Sequence, residues 1–205
     1  MPSKEMPKFL HINLAIFASG SGSNAAKIME YFRNHPRIRV GLVACNNPGA
    51  GVIGLASVEN VDMLLIEKDR FRNGDAYVAE LKGRGIDWIV LAGFLWKVPG
   101  RLIHAYAGHI LNIHPALLPK FGGRGMYGQF VHEAVLAAGE TESGITIHFV
   151  DEHYDHGRTL FQATVPVSRE DTPESLAKKV QALEHAHFAR VIEETVLNTP
   201  VTPGS

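Results

Sequence analysis

The sequence predicts an α/β fold: a single domain on a mainly parallel, twisted sheet with helices on both faces. Three observations carry this expectation. Residues 11–18 (HINLAIFA), 40–45 and 87–92 are short, nearly continuous apolar runs, the pattern of strands buried on both faces. These runs alternate with stretches of helical periodicity, which gives the order β-α-β-α-β-α-β-α-β. Residues 144–150 and 159–167 then form a hairpin-like β pair, an antiparallel addition, before one long C-terminal helix closes the chain.

Each element has its own local reason. After the first strand, Ser19-Gly20-Ser21-Gly22-Ser23-Asn24 leads into a helix over residues 25–33 with Ile28, Met29 and Phe32 on its inner face. The second strand ends in Asn46-Asn47-Pro48-Gly49-Ala50-Gly51, which precedes a helix over residues 52–59. Residues 62–66 read as a third strand, and residues 73–82 as a helix with Tyr77, Val78 and Leu81 inward, broken by Gly83-Arg84-Gly85. The fourth strand runs into Gly93-Phe94-Leu95-Trp96-Lys97-Val98, where Phe94 and Trp96 are either a pocket wall or ordinary core. Pro99 suits the first turn of a helix that Gly108 ends after Tyr106. Residues 109–111 read as the fifth strand, and a helix is expected over residues 129–138. Thr172, ahead of Pro173 and Glu174, is the N-cap of the last helix, which reaches about Val196.

The totals bound the function. The chain has 205 residues, 45% hydrophobic and 20% charged, and a domain over residues 10–198 is expected, with residues 1–9 and 199–205 as flexible termini. A net charge of −1 gives no general electrostatic case for nucleic acid or an anionic membrane. The single Cys45 excludes an intrachain disulfide framework and a Cys-rich zinc site. No apolar run approaches the ~18–20 residues that span a bilayer, and no signal-peptide core is seen, so a cytoplasmic protein is expected.

Chemistry concentrates in Asn112-Ile113-His114-Pro115. Side chains two apart on a strand point the same way, so the amide and the imidazole can address one small molecule at the strand end, where open α/β sheets bind ligands. Asp155 follows the strand over residues 144–150; set beside His114, a carboxylate would favour the imidazolium and fix the ring. Imidazolium plus amide makes an oxyanion site. No G-x-S-x-G and no Cys with a partnered His is present, which favours direct transfer between two bound substrates.

The loop at residues 19–24 suits one phosphate at a helix N-terminus, with a glycine turn packing strand on helix as the alternative. It matches the dinucleotide pattern weakly, and the acid that pattern needs after the second strand is missing. His148, Asp151, His153, Asp155 and His156 crowd together and invite a metal reading. They sit on a strand end and turn without an H-x-x-x-H helix pattern, so no metal is expected.

From residue 12 to about 192 the sequence resembles the phosphoribosylglycinamide formyltransferase family. The resemblance is carried by ASGSGSN (residues 18–24), VLAGF (90–94), ILNIHPALLPKF (110–121), GITIHFVDEHYDHG (144–157) and QALEHAHF (181–188). It implies the formyltransferase fold and transfer of a formyl group from 10-formyltetrahydrofolate to the amine of glycinamide ribonucleotide in purine synthesis. Asn112, His114 and Asp155 are then catalytic, with His148 supporting. Gly22, Ser23 and Asn24 bind the ribonucleotide phosphate, and Glu184 holds the glycinamide amino end. Leu95, Trp96, Lys97, Val98, Asn112, Val150, Asp151 and Asp155 form the folate wall. No metal, nucleic acid or membrane enters this reading, and a monomer or homodimer is expected.

The chain departs from the family pattern twice. Trp96 stands where many members carry an Arg after G-F-[ML], and residues 122–127 replace a loop that often holds a His pair. Rival readings are a formyltetrahydrofolate hydrolase, which usually has an added N-terminal regulatory domain, and a transformylase of initiator methionyl-tRNA, which needs a basic RNA-binding domain. A non-catalytic nucleotide-binding module is the reading from another class.

Overall fold

Strand β1 (Ile12–Ala18) explains the architecture through its alternation. Leu14, Ile16 and Ala18 enter one core, and Ala15 and Phe17 enter another on the opposite face. From Leu14 to Ala18 the run is uninterruptedly apolar, as it must be where both faces are covered. The computed structural model describes residues 11–199, so the expectation of flexible ends at residues 1–9 and 199–205 lies, Thr199 apart, outside the described residues.

In chain order the elements after β1 are α1 (Ser23–Phe32), β2 (Ile38–Cys45), α2 (Gly51–Val58) and β3 (Asp62–Leu65). Then come α3 (Lys68–Asn73), α4 (Asp75–Gly83), β4 (Trp88–Leu91), α5 (Gly100–Ala105) and β5 (Ile110–His114). The chain continues with α6 (Gln129–Ala137), β6 (Glu142–Phe149), β7 (Thr159–Pro166) and α7 (Pro173–Asn198). They build one seven-stranded sheet in the order β3-β2-β1-β4-β5-β6-β7. The first five strands are mutually parallel, while β6 runs antiparallel to both β5 and β7. The expected α/β sheet with helices on both faces is borne out, including the β6–β7 pair and the long last helix.

One face packs α1, α2, α6 and α7 through Ile28, Val52, Val135, Val180 and Ile192. The other packs α3, α4 and α5 through Phe71, Tyr77, Leu81 and Leu102. Thr172 caps α7 as expected: its hydroxyl accepts the Ser175 N–H while the Ser175 hydroxyl accepts the Thr172 N–H, a reciprocal capping box. No helix among the described residues is long and apolar enough to cross a membrane.

Several boundaries differ from expectation. α1 begins at Ser23, so the small-residue loop ends sooner. β2 starts at Ile38, where the exposed Arg39 had interrupted the apolar run. The six-residue α3 was not expected, because its only buried residue is Phe71 and so short a segment shows no period. Most consequential, β5 does not stop at Leu111: it carries Asn112 and His114 inside the strand.

Candidate active site

β5 lies between β4 and β6, with Asn112 opposite His148 and His114 opposite Thr146. The ladder therefore fixes both side chains, and His114 is only 4% exposed. Beyond His114 the chain turns through Pro115–Pro119, held from β6 by one hydroxyl. Thr146 Oγ1 donates to the Ala116 carbonyl (2.7 Å) and accepts the Leu118 N–H (2.9 Å) and the Gln162 amide (2.8 Å).

The expected acid–amide–imidazole group forms. Asp155 Oδ2 lies 3.6 Å from His114 Nδ1, and Asp155 Oδ1 lies 3.5 Å from Asn112 Nδ2. Asp155 has φ +53, a left-handed turn residue that Asp tolerates. His148 Nδ1 donates to the Phe149 carbonyl (2.8 Å), which leaves Nε2 to accept from Asn112 Nδ2 at 3.1 Å. Burial lowers the His148 pKa, which keeps this ring neutral and able to accept. His148 thus orients the Asn112 amide.

The glycine-rich loop at residues 120–128 is tied to the site through its backbone. The Phe121 carbonyl accepts His114 Nε2–H at 2.7 Å, and the Gly123 N–H donates to Asp155 Oδ2 at 2.9 Å. A Cβ on Gly122 would come within 2.5 Å of Leu118 Cδ2 and 3.2 Å of Asp155 Cβ. The loop braces both the imidazole and the carboxylate through its backbone. With Nε2 committed to Phe121, the working edge of His114 is Nδ1, beside Asp155.

These groups open on a cavity of about 780 Å³, which also receives Asn24 and Glu184. The Asn24 amide donates to Glu184 Oε2 at 2.8 Å, joining α1 to α7 across 160 residues of sequence, and Asn24 Oδ1 is buried without a partner. Burial raises the Glu184 pKa, and the bond from Asn24 works the other way. Gly22 and Ser23 do not line the cavity. Gly22 has φ +80, and a Cβ there would meet Val52 at 2.7 Å, so its need for glycine is a packing need. Ser23 Oγ accepts the Gln181 amide at 3.1 Å.

The whole expected folate wall lines the same cavity: Leu95 to Val98 on one side and Val150, Asp151 and Asp155 on the other. Trp96 serves both of its alternative readings, since its ring also lies 6.0 Å from that of the buried Phe71. The Lys97 ammonium sits over the Tyr154 ring at 5.5 Å. Sequence reasoning missed His132 on α6, which lines the cavity while buried, with Nδ1 unpartnered and its pKa lowered by burial and by His114. Its only signal was a histidine between the inward-facing Val131 and Val135. The five residues considered for a metal separate: His148 and Asp155 join the Asn112–His114 group, whereas Asp151, His153 and His156 converge on the exposed part of the loop.

An open α/β sheet with an amide, an imidazole and a carboxylate gathered beside its central strand ends has the makings of a small-molecule site whose donors can face an oxyanion. The chain belongs to the formyl transferase family, whose profile matches residues 12–192. It is 43% identical over 185 residues to the chloroplastic phosphoribosylglycinamide formyltransferase of Arabidopsis thaliana, covering 87% of this chain and 63% of that protein. This chain thus spans less than two thirds of the plant relative's length. The Bacillus subtilis phosphoribosylglycinamide formyltransferase is 32% identical, with 88% of this chain and 92% of that one covered. A solved glycinamide ribonucleotide transformylase from Geobacillus kaustophilus superposes with a TM-score of 0.82 at 36% identity, over 90% of this chain and 98% of that one.

Proposed function

We propose that this chain transfers the formyl group of 10-formyltetrahydrofolate to the amine of glycinamide ribonucleotide. The observation that carries the reading is that one cavity holds both the Asn112–His114–Asp155 group and the Asn24–Glu184 pair. A carboxylate beside a helix N-terminus suits a substrate with an amine at one end and a phosphate at the other. Asn24 and Ser21, which line the cavity at the uncapped start of α1, are the groups placed for the phosphate.

In this reading the glycinamide amine attacks the formyl carbon and a tetrahedral oxyanion forms. The Asn112 amide and the Nδ1–H of protonated His114 donate to it. Asp155 stabilises positive charge on the ring and relays the amine proton through water. The intermediate collapses when the bond from carbon to folate N10 breaks and N10 takes a proton. No metal is required, because the oxyanion has its donors. Folate lies along Leu95 to Val98 and Val150 to Asp155, with the ring of Trp96 offering a flat apolar surface.

The test is a spectrophotometric assay of 10-formyltetrahydrofolate consumption with and without glycinamide ribonucleotide. Turnover only with the ribonucleotide is expected, and turnover indifferent to it means that water is the acceptor. Asp155→Asn is expected to lower kcat by ~10²-fold or more. An unchanged pH–rate profile in that variant would remove Asp155 from the mechanism.

A further inference from the structure

We propose that Asp151, His153 and His156 form a binding site for a zinc-class divalent transition metal on the loop that carries Asp155. Three observations converge. Asp151 Oδ2 lies 3.2 Å from His156 Nδ1, and Asp151 Oδ1 lies 4.0 Å from His153 Nδ1, so one carboxylate faces two imidazoles through its two oxygens. One donor atom from each residue lies within 4.8 Å of the other two, and the rings stand 5.5 Å apart. The backbone is built to hold this turn. The His153 N–H donates to Asp151 Oδ1 (2.8 Å), the left-handed Asp155 reverses the chain, and the Phe149 N–H donates to the Arg158 carbonyl (3.0 Å). A Cβ on Gly157 would overlap the Phe149 carbonyl, so the turn closes only with glycine.

Two imidazoles and a carboxylate with an open fourth position are the donor set of a three-ligand zinc site, and they suit zinc, nickel or copper better than magnesium or calcium. Tetrahedral zinc with bonds of about 2.0–2.1 Å spaces its donors roughly 3.4 Å apart, which exposed side chains reach by small rotations. The site shares Asp151 and His153 with the rim of the substrate cavity and reverses the expectation of no metal. Asp155 lies between His153 and His156, so a bound ion fixes the turn that aims its carboxylate at His114. That consequence rests on the proposed activity; metal uptake does not.

Zn²⁺ alone is therefore titrated calorimetrically onto the full chain at pH 7.5 in a non-coordinating buffer, and onto His156→Ala and His153→Ala. Both rings are exposed, so the variants fold, which far-UV circular dichroism checks. Saturable uptake near one equivalent is expected, weakened about tenfold or more in each variant. Absence of saturable uptake by the wild type, or full affinity in either variant, overturns the site. The assay without and with Zn²⁺ then reads the coupling to Asp155 separately.

Discussion

Glu184 is the residue at which stability and function pull apart. Burial raises its pKa, and only the Asn24 amide offsets this. A carboxyl with a raised folded pKa stabilises the fold fully below its unfolded value of about 4.3, and that contribution is lost as pH rises through the folded value. At neutral pH the carboxylate is therefore a strained presence, which the proposed function explains by the amine it would meet. Glu184→Gln keeps an acceptor for Asn24 and removes the charge. It is expected to raise the melting temperature at pH 7.5, with the gain fading toward pH 4. The same variant is expected to raise KM for the ribonucleotide about tenfold or more with a smaller change in kcat, because a charge-assisted bond is lost. A second residue-scale expectation concerns His148, the neutral acceptor that orients Asn112. His148→Leu is expected to lower kcat while leaving KM for the ribonucleotide near its wild-type value. Equal kcat in that variant would mean that the Asn112 amide is held by other contacts.

At the scale of elements, the working parts are the turns that follow strands. Thr146 on β6 holds the turn after β5 through two hydrogen bonds, to the Ala116 carbonyl and the Leu118 N–H. Thr146→Val keeps the shape and leaves the half-buried Leu118 N–H and the buried Ala116 carbonyl without that partner, an expected cost of about 1–3 kcal/mol. Urea unfolding checks it: the midpoint should fall at unchanged slope, and kcat should fall with it as the His114 end of β5 loosens. Elements of this kind were unevenly legible in the sequence. β1 and β4 could be read because burial on both faces forces continuous apolar runs, and Thr172 because a cap is a local contact. α3 could not, since one buried Phe71 in six residues sets no period. The bracing role of the loop at residues 120–128 was not legible because it works through backbone groups, Phe121 C=O and Gly123 N–H, which leave no mark in side-chain composition. The pairing of Asn112 with His114 was readable from strand periodicity. Asp155 and Glu184 lie 43 and 160 residues from the groups they meet, so chain folding, not local pattern, brings them in. Glu184 in particular was legible only through the family resemblance.

For the whole molecule, the cavity sits where both helical layers and the strand ends meet. Asn24 of α1, His132 of α6 and Glu184 of α7 enter it from one core, and Ile103 of α5, Val98 and Trp96 enter it from the other. A ligand that fills it ties together two apolar clusters that otherwise communicate only through the sheet. Binding to the native state alone adds about 2.7 kcal/mol at a concentration one hundred times Kd. For a chain of about this length each kcal/mol moves the melting temperature by roughly 2–4 °C, so a saturating folate analogue is expected to shift it by roughly 5–10 °C. Glycinamide ribonucleotide should add its own shift, because its contacts on α1 and α7 are separate from the Trp96 side of the cavity. In Glu184→Gln the ribonucleotide shift should shrink while the folate shift persists, which a scanning fluorimetry matrix of two proteins and two ligands resolves. If both shifts shrink together, the cavity is one coupled site, and the division of labour between its two ends fails. If neither ligand moves the wild-type melting temperature, the substrates assigned to this cavity are wrong, whatever the family of the fold.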